Sequence, residues 1–161
     1  MSVDALDPIE IRASGSAGPT IVVLHGGPGA PGSVGALARE LGRDSRVIEP
    51  LRRRSGAVPL TVERHVADLA AVAPPRATLV GWSWGAMLAL SFAARHPERT
   101  AAVALIGCGT YDDGSRAEYT LRMEQRLEYV GLPGCGHEPW RERGARRLFF
   151  DRLRGWLPAS G

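Results

Sequence analysis

The chain alternates between two hydrophobic periods. The run TIVVL, Thr20–Leu24, is continuous and β-branched, the pattern of a strand buried on both faces. A short strand around Ile9–Arg12 precedes it across the turn ASGSAGP, Ala13–Pro19. In SVGALARELG, the apolar residues Val34, Leu37, Ala38 and Leu41 have helical spacing, closed by Gly42. RVIEP, Arg46–Pro50, predicts a short strand stopped by proline. LTVERHVADLAAVAP sets Val62, Val66, Leu69 and Val72 on one helical face, with Thr61 as cap and Pro74 as stop. ATLVG predicts the next strand and Trp84–Arg95 the next helix. TAAVALIGCG follows as a strand, GSRAEYTLRMEQR as a helix, LEYVGL as a strand and ARRLFFDRLRGWL as a closing amphipathic helix.

Strands alternating with helices of this length predict βαβ units: an α/β fold with a mostly parallel sheet and helices on both faces. At 161 residues the expectation is one domain over residues 1–161. In such sheets the ligand site lies in the loops at the carboxyl ends of the strands. The Gly-rich turns of this chain fall there.

Composition narrows the function classes. All twenty basic residues are arginine, and lysine and asparagine are absent, so the net charge of +3 reads as compositional bias rather than a nucleic-acid footprint. Only Arg52–Arg54 and the patch Arg141–Arg147 are dense. Glu138, Glu142 and Asp151 interleave with the second, which reads as a solvated helix face. The opening residues lack the apolar core of a signal peptide, and no apolar stretch has the length of a membrane span, so a cytoplasmic protein is expected. Cys108 and Cys135 have no Cys-x-x-Cys spacing and read as reduced, partly buried thiols. No metal and no cofactor is implied.

Two turns carry candidate chemistry. GWSWG, Gly81–Gly85, sits between a predicted strand and a predicted helix. A serine at such a corner can be lifted clear in a strained conformation, provided Gly81 and Gly85 lack side chains where strand and helix converge. The alternative is a glycine-rich corner that merely packs. HGGPG, His25–Gly29, follows the strand ending at Leu24, and its backbone N–H groups can face an incoming oxygen. A negative tetrahedral intermediate needs two donors, for which the N–H groups of Gly27 and Trp84 are the natural pair. A phosphate-cradling loop would need a Gly-Lys-Ser/Thr ending, which is absent.

HGGPG, then GWSWG, then GCGHEPW resembles the α/β-hydrolase superfamily, and the Pro-Gly form of the first motif resembles its proline iminopeptidase-like branch. The resemblance implies a serine–acid–histidine triad acting on a small ester or amide, with Ser83 as nucleophile and a general base on a late loop. Of the four histidines, His25 opens the first loop, while His65 and His96 lie within or at the end of helices. His137 alone lies in a late strand-end loop. The 20 residues Gly107 to Arg126 accommodate one crossover, so the lid, the penultimate strand and the usual acid are expected to be missing, with the last strand pairing beside AAVALI. Asp112 is the substitute acid, with Asp113 beside it; either serves equally as a cap for a helix starting near Ser115. Glu138 is the weaker candidate. Without a lid, Trp82 and Trp84 flank an open site or belong to the core. A non-catalytic shortened relative is the competing reading.

Overall fold

The structure, a computed structural model, describes residues 8–27, 31–54, 59–108, 130–132 and 135–157. The chain falls into two compact units, Met1–Ile106 with Ala159–Gly161, and Gly107–Pro158.

The first unit holds a five-stranded sheet. Its elements are β1 (Glu10–Ser14), β2 (Thr20–Leu24), α1 (Gly35–Leu41), β3 (Arg46–Leu51), α2 (Val62–Val72), β4 (Ala77–Trp82), α3 (Trp84–Arg95), a 3-10 turn (Pro97–Arg99) and β5 (Thr100–Ile106). The strand order is β1-β3-β2-β4-β5. β1 runs antiparallel to β3, and the remaining pairings are parallel. Connections from β2 lead to one side and those from β4 to the other, so the strand order reverses between these two neighbours. A crevice opens outside the carboxyl ends at such a point.

Local chemistry explains the elements. Ile21, Val22, Val23 and Leu24 are fully buried, as the unbroken apolar run of β2 requires of a central parallel strand. Thr61 caps α2 by accepting the Arg64 N–H at 3.2 Å, and the helix ends at Ala73 before Pro74. Val66, Leu69 and Ala73 of that segment pack with Val22, Leu24, Leu79, Leu88 and Phe92 into one core. Each large apolar side chain so buried stabilises by roughly 1.5–3 kcal/mol over its exposed state. Val62 departs from expectation: it opens the helix and stays 40% exposed, because the first turn lies beyond the core-facing stripe. Arg53 forks onto Asp68 of α2, Nε to Oδ2 at 2.9 Å and Nη2 to Oδ1 at 3.0 Å, tying the segment after β3 to that helix.

In the second unit the closing helix, α4 (Arg146–Trp156), buries Phe149, Phe150 and Leu153, and Phe149 packs against the fully buried Trp140. The predicted helix GSRAEYTLRMEQR lies outside the described residues. So does the first half of the predicted strand LEYVGL; the described half, Val130–Leu132, is not strand, and the pairing of that segment beside β5 is not among the described ladders.

Candidate active site

β2 and β4 are in register with Leu24 opposite Gly81, so the residues that follow, His25–Gly26 and Trp82–Ser83, come side by side at the carboxyl ends of the two strands. Ser83 has φ +55 and ψ −122, a conformation that costs an L-residue roughly 1–3 kcal/mol. Its N–H donates to the Ile106 carbonyl at 2.9 Å and its carbonyl accepts the Ala86 N–H at 2.9 Å, so the bend is pinned from both sides. Although Ser83 occupies the cap position of α3, its side chain makes no capping hydrogen bond. The half-buried hydroxyl is therefore not committed to the helix.

Three glycines make this bend sterically feasible. A Cβ on Gly81 would come within 2.6 Å of the Ala86 Cα, and one on Gly85 within 2.6 Å of the His25 carbonyl oxygen. Both are backbone neighbours that cannot rotate away. A Cβ on Gly26 would lie 2.7 Å from the Trp82 ring and 3.0 Å from the Ser83 Cβ. Gly27, at φ +49, instead faces open space among the described residues. The N–H of Trp84, in the first turn of α3, has no intrahelical acceptor.

Behind the HGG segment lies a buried polar cluster. Arg52, one residue beyond β3, is 4% exposed and donates to the carbonyl oxygens of His25, Gly26 (3.3 Å) and Gly27 (3.5 Å). Its guanidinium carbon also sits 4.4 Å from the centre of the Trp84 ring, which His65 meets edge-on at 5.1 Å. Burial lowers the Arg52 pKa to about 10, which leaves it cationic at neutral pH. His25 is fully buried; burial first and the Arg52 charge second hold its pKa down to about 4, so it is neutral. Arg52 Nε lies 3.3 Å from its Nε2 and Arg52 Nη2 lies 2.7 Å from its Nδ1, which also faces the Gly26 carbonyl at 3.0 Å. Burial and the same arginine also lower the His65 pKa.

His137 lies in the second unit, on a surface loop. Gly107, at φ +56, packs against it: a Cβ there would fall 2.8 Å from the imidazole Nδ1. The loop is held by polar contacts. The Gly136 N–H donates to both Glu142 carboxylate oxygens at 2.8 and 3.0 Å, the Glu138 carboxylate pairs with Arg141 at 3.3 Å, and the Cys135 N–H reaches the Leu132 carbonyl at 3.2 Å. Buried Trp140 anchors its far side.

A family model described as the alpha/beta hydrolase fold matches residues 62–130. A solved alpha/beta hydrolase from Sphaerobacter thermophilus superposes with a TM-score of 0.55 at 28% identity, covering 73% of this chain and 52% of that one. The chain has the α/β-hydrolase fold. Among curated proteins, pimeloyl-[acyl-carrier protein] methyl ester esterases from Chromobacterium violaceum and Aromatoleum aromaticum are 38% and 36% identical over 93 and 92 residues. Each match covers 55% of this chain, which in turn spans 37% of each esterase. The relatives thus support the superfamily and point to esterases, without singling out the proline iminopeptidase-like branch.

Of the residues singled out from the sequence, the fold brings Ser83, Gly27 and Trp84 onto adjoining turns of the first unit. His137 belongs to the second unit, and Asp112 and Asp113 lie outside the described residues. Trp84 packs on the core, and Trp82 lies against Gly26. Neither Cys108 nor Cys135 forms a disulfide among the described residues, which hold no cluster of metal-ligand type. None of the helices among the described residues is long and apolar enough to cross a membrane. Arg52, Gly26 and Glu142 were not among the sequence candidates, and His65 was weighed as the base and set aside as a helix residue. Only Gly26 carried a signal, as part of HGGPG.

Proposed function

We propose that the chain is a serine hydrolase acting on a small carboxylic ester. Ser83 Oγ attacks the acyl carbon and passes its proton to the His137 imidazole. The carbonyl oxygen, now negative, accepts hydrogen bonds from the N–H groups of Gly27 and Trp84. Collapse breaks the ester bond, and the leaving alcohol takes the proton from His137. Water, deprotonated by the same imidazole, then hydrolyses the acyl-enzyme and returns Ser83. Asp112 is the acid assigned to orient His137, with Asp113 its neighbour in the same role.

The observation that carries this reading is the strained, uncapped Ser83 at the carboxyl end of β4, with Gly26 in contact beside it. Such strain has no packing benefit that a glycine would not supply, and nucleophilic chemistry is its usual reason. The ester form is favoured over the amide form because the curated relatives are named esterases. The direct test is hydrolysis of p-nitrophenyl acyl esters of graded chain length beside an aminoacyl anilide. Turnover of the esters that Ser83→Ala reduces to background supports the reading. Ester turnover equal in wild type and Ser83→Ala refutes it, and anilide turnover alone would transfer it to amides.

A further inference from the structure

The sequence places Arg52 in a run of three arginines, where a solvated charge would be ordinary, yet it is buried against the segment proposed to hold the oxyanion. Among the described residues its side-chain partners are the three carbonyls of His25, Gly26 and Gly27, the His25 ring and the Trp84 face. A buried cation so surrounded serves the peptide groups it touches. A trans peptide is planar, with its N–H antiparallel to its C=O. The peptide joining Gly26 to Gly27 turns its carbonyl toward Arg52, so the Gly27 N–H points the opposite way. The peptide joining His25 to Gly26 is oriented by the same donor.

The segment bearing Arg52 is itself fixed. Arg53 forks onto Asp68 of α2, and fully buried Glu49 near the end of β3 meets Arg12 at 3.4 Å. We propose that Arg52 is the positioning residue of the oxyanion-binding turn: its guanidinium holds the carbonyls of residues 25–27 so that the Gly27 N–H faces the developing negative charge. It touches neither substrate nor Ser83. Its positive charge polarises the same peptides, which strengthens their N–H groups as donors. The proposal rests on the reading of Ser83 as nucleophile.

The test compares wild type with Arg52→Met, which keeps length and apolar area but removes every donor, and Arg52→Lys, which keeps the charge but not the fork. On a p-nitrophenyl ester, kcat should fall about 100-fold in Arg52→Met, in the range for losing one oxyanion donor, with KM within about threefold. The inhibition constant of a trifluoromethyl ketone, which forms a tetrahedral adduct, should weaken by the same factor. Arg52→Lys should recover only part. A folded Arg52→Met with kcat within twofold of wild type overturns the proposal, as does a parallel loss in kcat and folded fraction. Where Arg52→Met does not fold, Arg52→Lys decides: kcat lowered about tenfold supports the fork, and wild-type kcat refutes it. If wild type shows no Ser83-dependent turnover, the hydrolase reading fails by itself. Amide hydrogen exchange at Gly26 and Gly27 then judges the clamp: exchange at least tenfold faster in the variant supports it, and unchanged exchange overturns it.

Discussion

The turn around Ser83 is shaped by what Gly26, Gly81 and Gly85 lack, whereas the loop around His137 is shaped by what Glu142, Arg141 and Trp140 supply. In the first region Gly81 and Gly85 meet backbone and Gly26 meets the Trp82 ring, with no room for a methyl group and a buried arginine behind. In the second, mostly exposed hydrogen bonds and one buried indole hold a surface loop. Close packing fails abruptly when a carbon is added; exposed polar contacts fail gradually when one is removed. The position of Ser83 is therefore a property of the fold, while that of His137 is a property of a few side chains.

The largest predicted effect separates the two regions outright. Gly85→Ala should destabilise by at least about 3 kcal/mol, because its Cβ would press on the backbone oxygens of Leu24, at the end of β2, and of His25 just after it. A chemical denaturation midpoint close to wild type would show that the turn relaxes and that the contrast is overdrawn. Acid should reveal the next effect, again in the first unit. His25 titrates near 4 in the folded chain against 6.5 when unfolded, so between those values the unfolded state binds a proton that the folded state refuses. Its contribution is complete above pH 6.5 and lost as pH falls through about 4, a loss of about 3 kcal/mol. His65, also lowered, acts in the same sense, while Glu49, raised by burial, opposes it just above the ordinary glutamate range. Urea midpoints at pH 7.5, 5.5 and 4 should decline, and more shallowly in His25→Asn.

A smaller change should carry the opposite sign. Ser83→Gly relieves φ +55 and should raise stability by about 1 kcal/mol while abolishing ester turnover. A melting temperature unchanged or lowered would indicate that the hydroxyl contributes packing that offsets the strain. The smallest effect belongs to the second unit. Glu142→Gln weakens two hydrogen bonds from Gly136 and should cost less than about 1 kcal/mol, yet lower kcat about tenfold by loosening the His137 loop. An unchanged kcat would show that the loop is held without it.

Much of the first unit was legible in its sequence. Trp84–Arg95 was read to the residue, because the Gly-x-Ser-x-Gly corner fixes its start and Pro97 follows its end. Thr61 announced its cap, and the need for Gly81 and Gly85 followed from the convergence of strand and helix. Arg52 was not legible, since a buried cation and a surface cation look alike in sequence. What buries this one is a set of carbonyls on a turn 25 to 27 positions away. His65 carried no mark of its contact with Trp84, and Glu142 read as one charge in an interleaved face, although it accepts two bonds from one backbone N–H. In LEYVGL, the short apolar run did not dictate a strand at Val130–Leu132.

The central claim is that Ser83 is a nucleophile served by His137. Its most direct test is covalent labelling of the folded chain with a fluorophosphonate, followed by mass mapping, beside Ser83→Ala and His137→Ala. The account predicts one adduct, on Ser83, absent from Ser83→Ala and formed far more slowly in His137→Ala. Labelling no greater than in Ser83→Ala would contradict it and leave the strained turn as architecture alone; Ser83 labelling at the wild-type rate in His137→Ala would contradict the role of the base.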